Sequence, residues 1–155
     1  MHMNKWDKRF MELSYVVGSW SSCYKDDRQV GAVIVRNKRI LTTGYNGAPS
    51  GITSCKDRGE CLRVKKNIPS GTCHEICYAV HAEQNAIIQA AKIGVSVEDA
   101  TLYCTHQPCN ICAKMIINSG IKRIVFDNGY PDSFSMEMFK EANVIVDKYS
   151  DLLKN

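Results

Sequence analysis

The chain has 155 residues, of which 45% are hydrophobic and 23% charged, with a net charge of +4. That length suits a single domain over residues 1–155, and the composition excludes a disordered or collagen-like chain. Basic residues are scattered among acidic ones, which disfavours a nucleic-acid partner and suits a small anionic ligand; no apolar run approaches the roughly 20 residues that span a bilayer, and the N-terminus lacks a signal-peptide core, so a cytoplasmic protein is expected.

In chain order, KWDKRFMELSYVVGSW (5–20) spaces Trp6, Phe10, Leu13, Val16, Val17 and Trp20 three and four apart, which predicts a helix with those residues on its buried face. VGAVIVRNKRILTTGYN (30–46) reads as a β-hairpin of two apolar runs joined by Arg36-Asn37-Lys38-Arg39. From about 47 to 80 no periodic pattern survives, and this long inserted loop carries Cys55, Cys61, Cys73, His74 and Cys77. Loops of that length inside a compact domain are functional or held by something, and a bound metal is one candidate.

HAEQNAIIQAAKIG (81–94) is a helix ending at Gly94, and ATLYCT (100–105) is a buried strand. PCNICAKMIINSG (108–120) gives a helix with Pro108 where helices tolerate it; a strand (IKRIVFD), a helix (PDSFSMEMFKEA) and a last strand (NVIVDKY) follow. Strands alternating with helices after an opening hairpin predict an α/β fold, a three-layer α/β/α sandwich with a mixed central sheet of about five strands.

The eight cysteines (23, 55, 61, 73, 77, 104, 109 and 112) are many for a compartment where disulfides are rare, and point to metal. Cys104, inside a strand pattern, is read instead as a buried thiol. His81, Cys109 and Cys112 open two helices, each behind a strand or loop, so they can converge from neighbouring helix N-termini. The exposed N–H groups there favour thiolate over thiol. Three ligands of mixed nitrogen and sulfur type leave a fourth tetrahedral position open to water, the arrangement of a catalytic zinc. Glu83, two residues after His81, is the candidate proton carrier beside that water. A Cys-x-x-Cys alone also fits a redox pair or half a structural zinc site, and a lone His-x-Glu arises by chance in many helices. Their joint occurrence as HAE (81–83) and PCNIC (108–112) is the signature of zinc-dependent nucleobase deaminases.

Over nearly its whole length the chain resembles the deoxycytidylate (dCMP) deaminase family of the zinc-dependent cytidine/deoxycytidylate deaminases. The resemblance rests on VGAVIV (30–35), TGYNGAPSG (43–51), HAEQNAI (81–87) and PCNICAKMIINSGIKRIV (108–125). It implies a cytidine deaminase-like fold and hydrolysis of dCMP to dUMP and ammonia, which feeds thymidylate synthesis. It also implies an oligomer, often a hexamer, with dCTP and dTTP as effectors near the GYNG loop. Asn46 and Ala82 are carried over as substrate contacts, and Tyr130 as a residue near the 5′-phosphate. Lys25 and Arg28 are phosphate candidates on charge alone, or a solvated turn. A zinc-binding module without turnover would lack a usable carboxylate, against which Glu83 argues. Deamination of another cytosine nucleotide or of a nucleic-acid base is the alternative activity. His74 and Cys77, three apart before the catalytic histidine, read as half of a second, structural zinc site. Family branches with two zincs imply Cys23 and Cys55 as the other half, with Cys61 and Cys73 in reserve.

Overall fold

The apolar runs on either side of Asn37-Lys38 fold back as β1 (Gly31–Arg36) and β2 (Arg39–Tyr45), paired antiparallel. Asn37 and Lys38 both take positive φ (52° and 62°), the turn geometry whose twist matches a hairpin. The computed structural model of the protein describes residues 4–129 and 132–154. In it β1 also pairs antiparallel with β3 (Thr101–His106), and β3, β4 (Arg123–Asn128) and β5 (Ile145–Lys148) run parallel, giving a five-stranded mixed sheet in the order β2-β1-β3-β4-β5.

Strand alternation sends two sets of side chains to two faces. Ala32, Ile34, Leu102, Cys104 and Ile124 pack with α4 (Ala82–Ile93), α5 (Asn110–Asn118) and α6 (Ser133–Glu141). Val33, Val35, Tyr103 and Val125 pack with Phe10, Met11 and Val17 of α1 (Lys5–Gly18) and Leu152 of α7 (Tyr149–Leu152). The expected three-layer sandwich is present, and the predicted elements lie within about two residues of the observed ones, the accuracy at which helix and strand ends can be defined.

The buried face of α1 differs from the expectation. Asp7, Phe10, Met11, Ser14, Val17 and Gly18 are inside, while Val16 and Trp20 are 52% and 56% exposed, and Trp20 lies past the helix end. Two long-range contacts set this rotation. Ser14 and Gly18 lie so close to β1 that a Cβ on Gly31 would fall 1.8 Å from the Ser14 carbonyl oxygen. Asp7, fully buried, accepts hydrogen bonds from Arg123 Nη1 (2.8 Å) and Tyr103 Oη (2.7 Å), and Arg123 also pairs with Asp147 at 2.8 Å. Burial alone would raise the Asp7 pKa, but these partners hold it below the usual carboxylate range. A buried charge left without its partners is costly enough to override an apolar pattern.

Gly44 on β2 seats α4. A Cβ there would come within 2.2 Å of the Ala82 carbonyl and 2.5 Å of the Ala86 nitrogen, so only glycine lets the first turn of α4 lie flat on the sheet. The long segment between hairpin and α4 contains two short helices, α2 (Cys55–Arg58) and α3 (Leu62–Lys65), and is closed at its base by a bridge between Gly47 and Val80. Arg63 gathers its far end, donating to the carbonyls of Pro69 (2.9 Å), Thr72 (2.5 Å) and Cys73 (2.6 Å). No described helix is long and apolar enough to cross a membrane.

Candidate active site and metal centre

Two helices begin side by side at the site. His81 is the N-cap residue of α4, and its N–H donates to Gln84 Oε1 at 2.9 Å, closing the first turn. Cys109 is the N-cap of α5, and Cys112 stands within the first turn. The Cys109 and Cys112 sulfurs are 3.6 and 3.3 Å from His81 Nδ1, and the three ligand atoms all lie within 4.8 Å of one another. Zinc with bonds of about 2.3 Å to sulfur and about 2.0–2.1 Å to nitrogen would separate those atoms by roughly 3.5 Å in a tetrahedron, so the donor set fits that ion in both chemistry and spacing.

The electrostatics agree. The Cys109 thiol is lowered to about 3, first by the hydrogen bond from Cys112 and then by His81, while Cys112 is raised by the same shared proton and by burial. His81 is raised, chiefly by its hydrogen bond with Cys109. One thiolate and a proton held between neighbours is the state that a bound cation replaces, releasing the proton. Glu83 is 4% exposed, and burial raises its pKa; its carboxyl interacts with the Cys112 and Cys104 thiols. Cys104 is a fully buried thiol, as its place in a strand predicted.

Of these residues His81, Glu83 and Cys109 line a cavity of about 290 Å³, close to the lower bound of the range usual for ligand pockets, roughly 300–1,000 Å³. Asn46, Ala82, Lys25 and Arg28 line it too. The Asn46 amide is committed to backbone: Oδ1 accepts from the Val30 N–H (2.9 Å) and Nδ2 donates to the Arg28 carbonyl (2.7 Å), which fixes the Arg28–Val30 stretch at the rim. Tyr130 lies outside the described residues.

Cys23, His74 and Cys77 also line the cavity, and the His74 ring stands edge-on to His81 at 5.6 Å. Cys55 is buried, and its thiol is raised first by burial and then by the nearby sulfurs of Cys77, Cys23 and Cys61. Cys73 is exposed. The second set thus gathers in one region, but among the described residues only His81, Cys109 and Cys112 reach mutual ligand spacing.

Three polar cavity residues escaped the sequence reading: Arg63, His106 and Gln107. Burial lowers the pKa of His106, favouring its neutral form, and its Nδ1 sits 2.9 Å from Thr105 Oγ1. The signal for His106 and Gln107 was their place at the end of a strand that runs into the Cys-x-x-Cys helix. Arg63 offered none.

Residues 4–128 match the family described as the cytidine and deoxycytidylate deaminase zinc-binding region. The chain belongs to this family. It is 39% identical over 146 residues to the deoxycytidylate deaminase of Saccharomyces cerevisiae, an alignment covering 94% of this chain and 45% of the yeast protein. It is 36% identical over 149 residues to ComE operon protein 2 of Bacillus subtilis, covering 96% of this chain and 73% of that one. The dCMP deaminase of cyanophage S-TIM5, solved in complex with dCMP and dUMP, superimposes with a TM-score of 0.75 at 32% identity, covering 95% of this deaminase-family chain and 99% of the phage chain. This chain spans less than half the length of the two yeast deoxycytidylate deaminases it matches, 44% and 45%.

Proposed function

We propose that the protein hydrolyses dCMP to dUMP and ammonia, so that water enters at C4 of cytosine as the amino group leaves. The observation that carries this reading is the meeting of three zinc-type ligands with the buried Glu83 carboxyl, where His81, Glu83 and Cys109 line a cavity of about 290 Å³. The relatives' substrates support it. His81, Cys109 and Cys112 would hold a zinc ion, which would make a bound water acidic enough to ionise near neutral pH. Glu83 would accept one proton from that water and pass it to N3, then take the second from the hydroxyl added at C4 and give it to the departing amine, acting as base and then acid in each transfer. The burial that raises its pKa lets the carboxyl hold each proton between the two steps of its transfer.

At the rim, Lys25 and Arg28 are assigned to the 5′-phosphate, with Asn46 holding the Arg28–Val30 backbone in place and Tyr130 as a further phosphate-side residue. Deoxycytidine, which lacks the charge-assisted contacts of that phosphate, is therefore expected to show at least about tenfold lower kcat/KM than dCMP. Steady-state kinetics on both compounds decide this; equal values would indicate a nucleoside deaminase. The reading extends to a homo-oligomer that responds to dCTP and dTTP. Exposed apolar residues such as Trp20, packed edge-on against Tyr45, support an interface.

A second, structural zinc held by Cys23, Cys55, His74 and Cys77 belongs to the same proposal, supported by their clustering around Cys55 and the cavity wall. Metal analysis of zinc-replete protein should give about two ions per chain, and Cys55→Ser should remove one and lower thermal stability, because closed sites contribute folding free energy directly. One ion per chain would end the second site and leave the first standing.

A further inference from the structure

Gln107 occupies the cavity wall between His106 and Pro108, two residues before the ligand Cys109. Its backbone is held firmly. The N–H donates to the Asn128 carbonyl at 3.0 Å, tying the C-terminal ends of β3 and β4 together, and Pro108 follows with its restricted φ. The end of the side chain is the opposite case. Gln107 Nε2 is buried, and among the described residues it is the one buried side-chain nitrogen or oxygen without a hydrogen-bond partner. Buried polar groups are nearly always paired, so an orphan beside a catalytic floor calls for a function. Its three rotatable side-chain bonds let the amide turn into the cavity, and no hydrogen bond at Nε2 opposes that turn.

An amide N–H₂ is a donor only, so it seeks an acceptor on the ligand. The exocyclic amine of cytosine is itself a donor and is excluded. Ring N3 is also an acceptor in cytosine, but in the dCMP reading it faces Glu83, which protonates it; the remaining partners are the ring O2 and the sugar and phosphate oxygens, all present in both dCMP and dUMP. Resting on the dCMP reading of this site, we infer that Gln107 is a specificity residue that donates from Nε2 to an oxygen shared by substrate and product, holding the nucleotide beside Glu83 without taking part in proton transfer.

The test compares wild-type, Gln107→Leu and Gln107→Glu zinc-loaded proteins by steady-state kinetics with dCMP and by thermal unfolding with and without dUMP. Losing one neutral hydrogen bond should raise KM about three- to tenfold while kcat changes little. The stabilisation by dUMP should shrink in step, and the unliganded midpoint of the Leu variant should hold or rise, since the unpaired amide is gone. Gln107→Glu sets acceptor oxygens against the ligand's oxygens, so it should raise KM further than Leu does. An unchanged KM and dUMP shift in both variants would overturn the inference. So would a lower unliganded midpoint and kcat with KM untouched, the pattern of a structural prop. If the wild type leaves dCMP intact, the functional reading fails, and the dUMP shift, read without turnover, still decides the role of Gln107.

Discussion

Glu83→Gln is expected to lower dCMP turnover by about 10²- to 10⁴-fold, the usual worth of a general acid/base, with zinc content staying at the wild-type level. The amide is nearly isosteric but can neither accept the two protons of the attacking water nor deliver one to N3 and the other to the amine. His81, Cys109 and Cys112 are untouched by the change, so the metal stays. The fold tolerates it for a physical reason: the Glu83 side chain is buried with its pKa raised, and a neutral amide replaces a group that burial already pushes toward neutrality. Kinetics with parallel metal analysis separate the outcomes. Turnover near the wild-type rate would remove Glu83 from the chemistry, and loss of zinc together with turnover would make it a structural residue.

Cys109→Ala fails in the other way, losing one zinc and all measurable turnover together. The variant keeps His81 Nδ1 and the Cys112 sulfur, 3.3 Å apart, and two ligands hold zinc weakly. Cys109 is also the partner that raises His81 and shares its proton with Cys112, so its removal leaves a buried thiol and an imidazole without the charge that organised them. Full zinc occupancy in this variant would contradict the ligand assignment.

The sheet, its helices and the cluster of His81, Cys109 and Cys112 were legible because their signals are local. Asn37-Lys38 between apolar runs specifies a hairpin turn, and His81, Cys109 and Cys112 carry their meaning in spacings of a few residues at helix starts. The face of α1 was not legible. Asp7 is turned inward by Arg123, 116 residues away, and Gly18 by its approach to Gly31, so the stripe through Val16 and Trp20 describes a helix that those contacts rotate. The cavity wall was hidden for the same reason. Arg63 organises the long segment through three carbonyls of an aperiodic loop, and Gln107 matters through a missing partner, which only the folded chain reveals.

The central claim is tested most directly by incubating the zinc-loaded protein with dCMP and quantifying nucleotide and ammonia together. The account predicts dUMP and ammonia in equal amounts, with both abolished by removing the metal and restored by zinc. Intact dCMP in the presence of fully occupied zinc would contradict it.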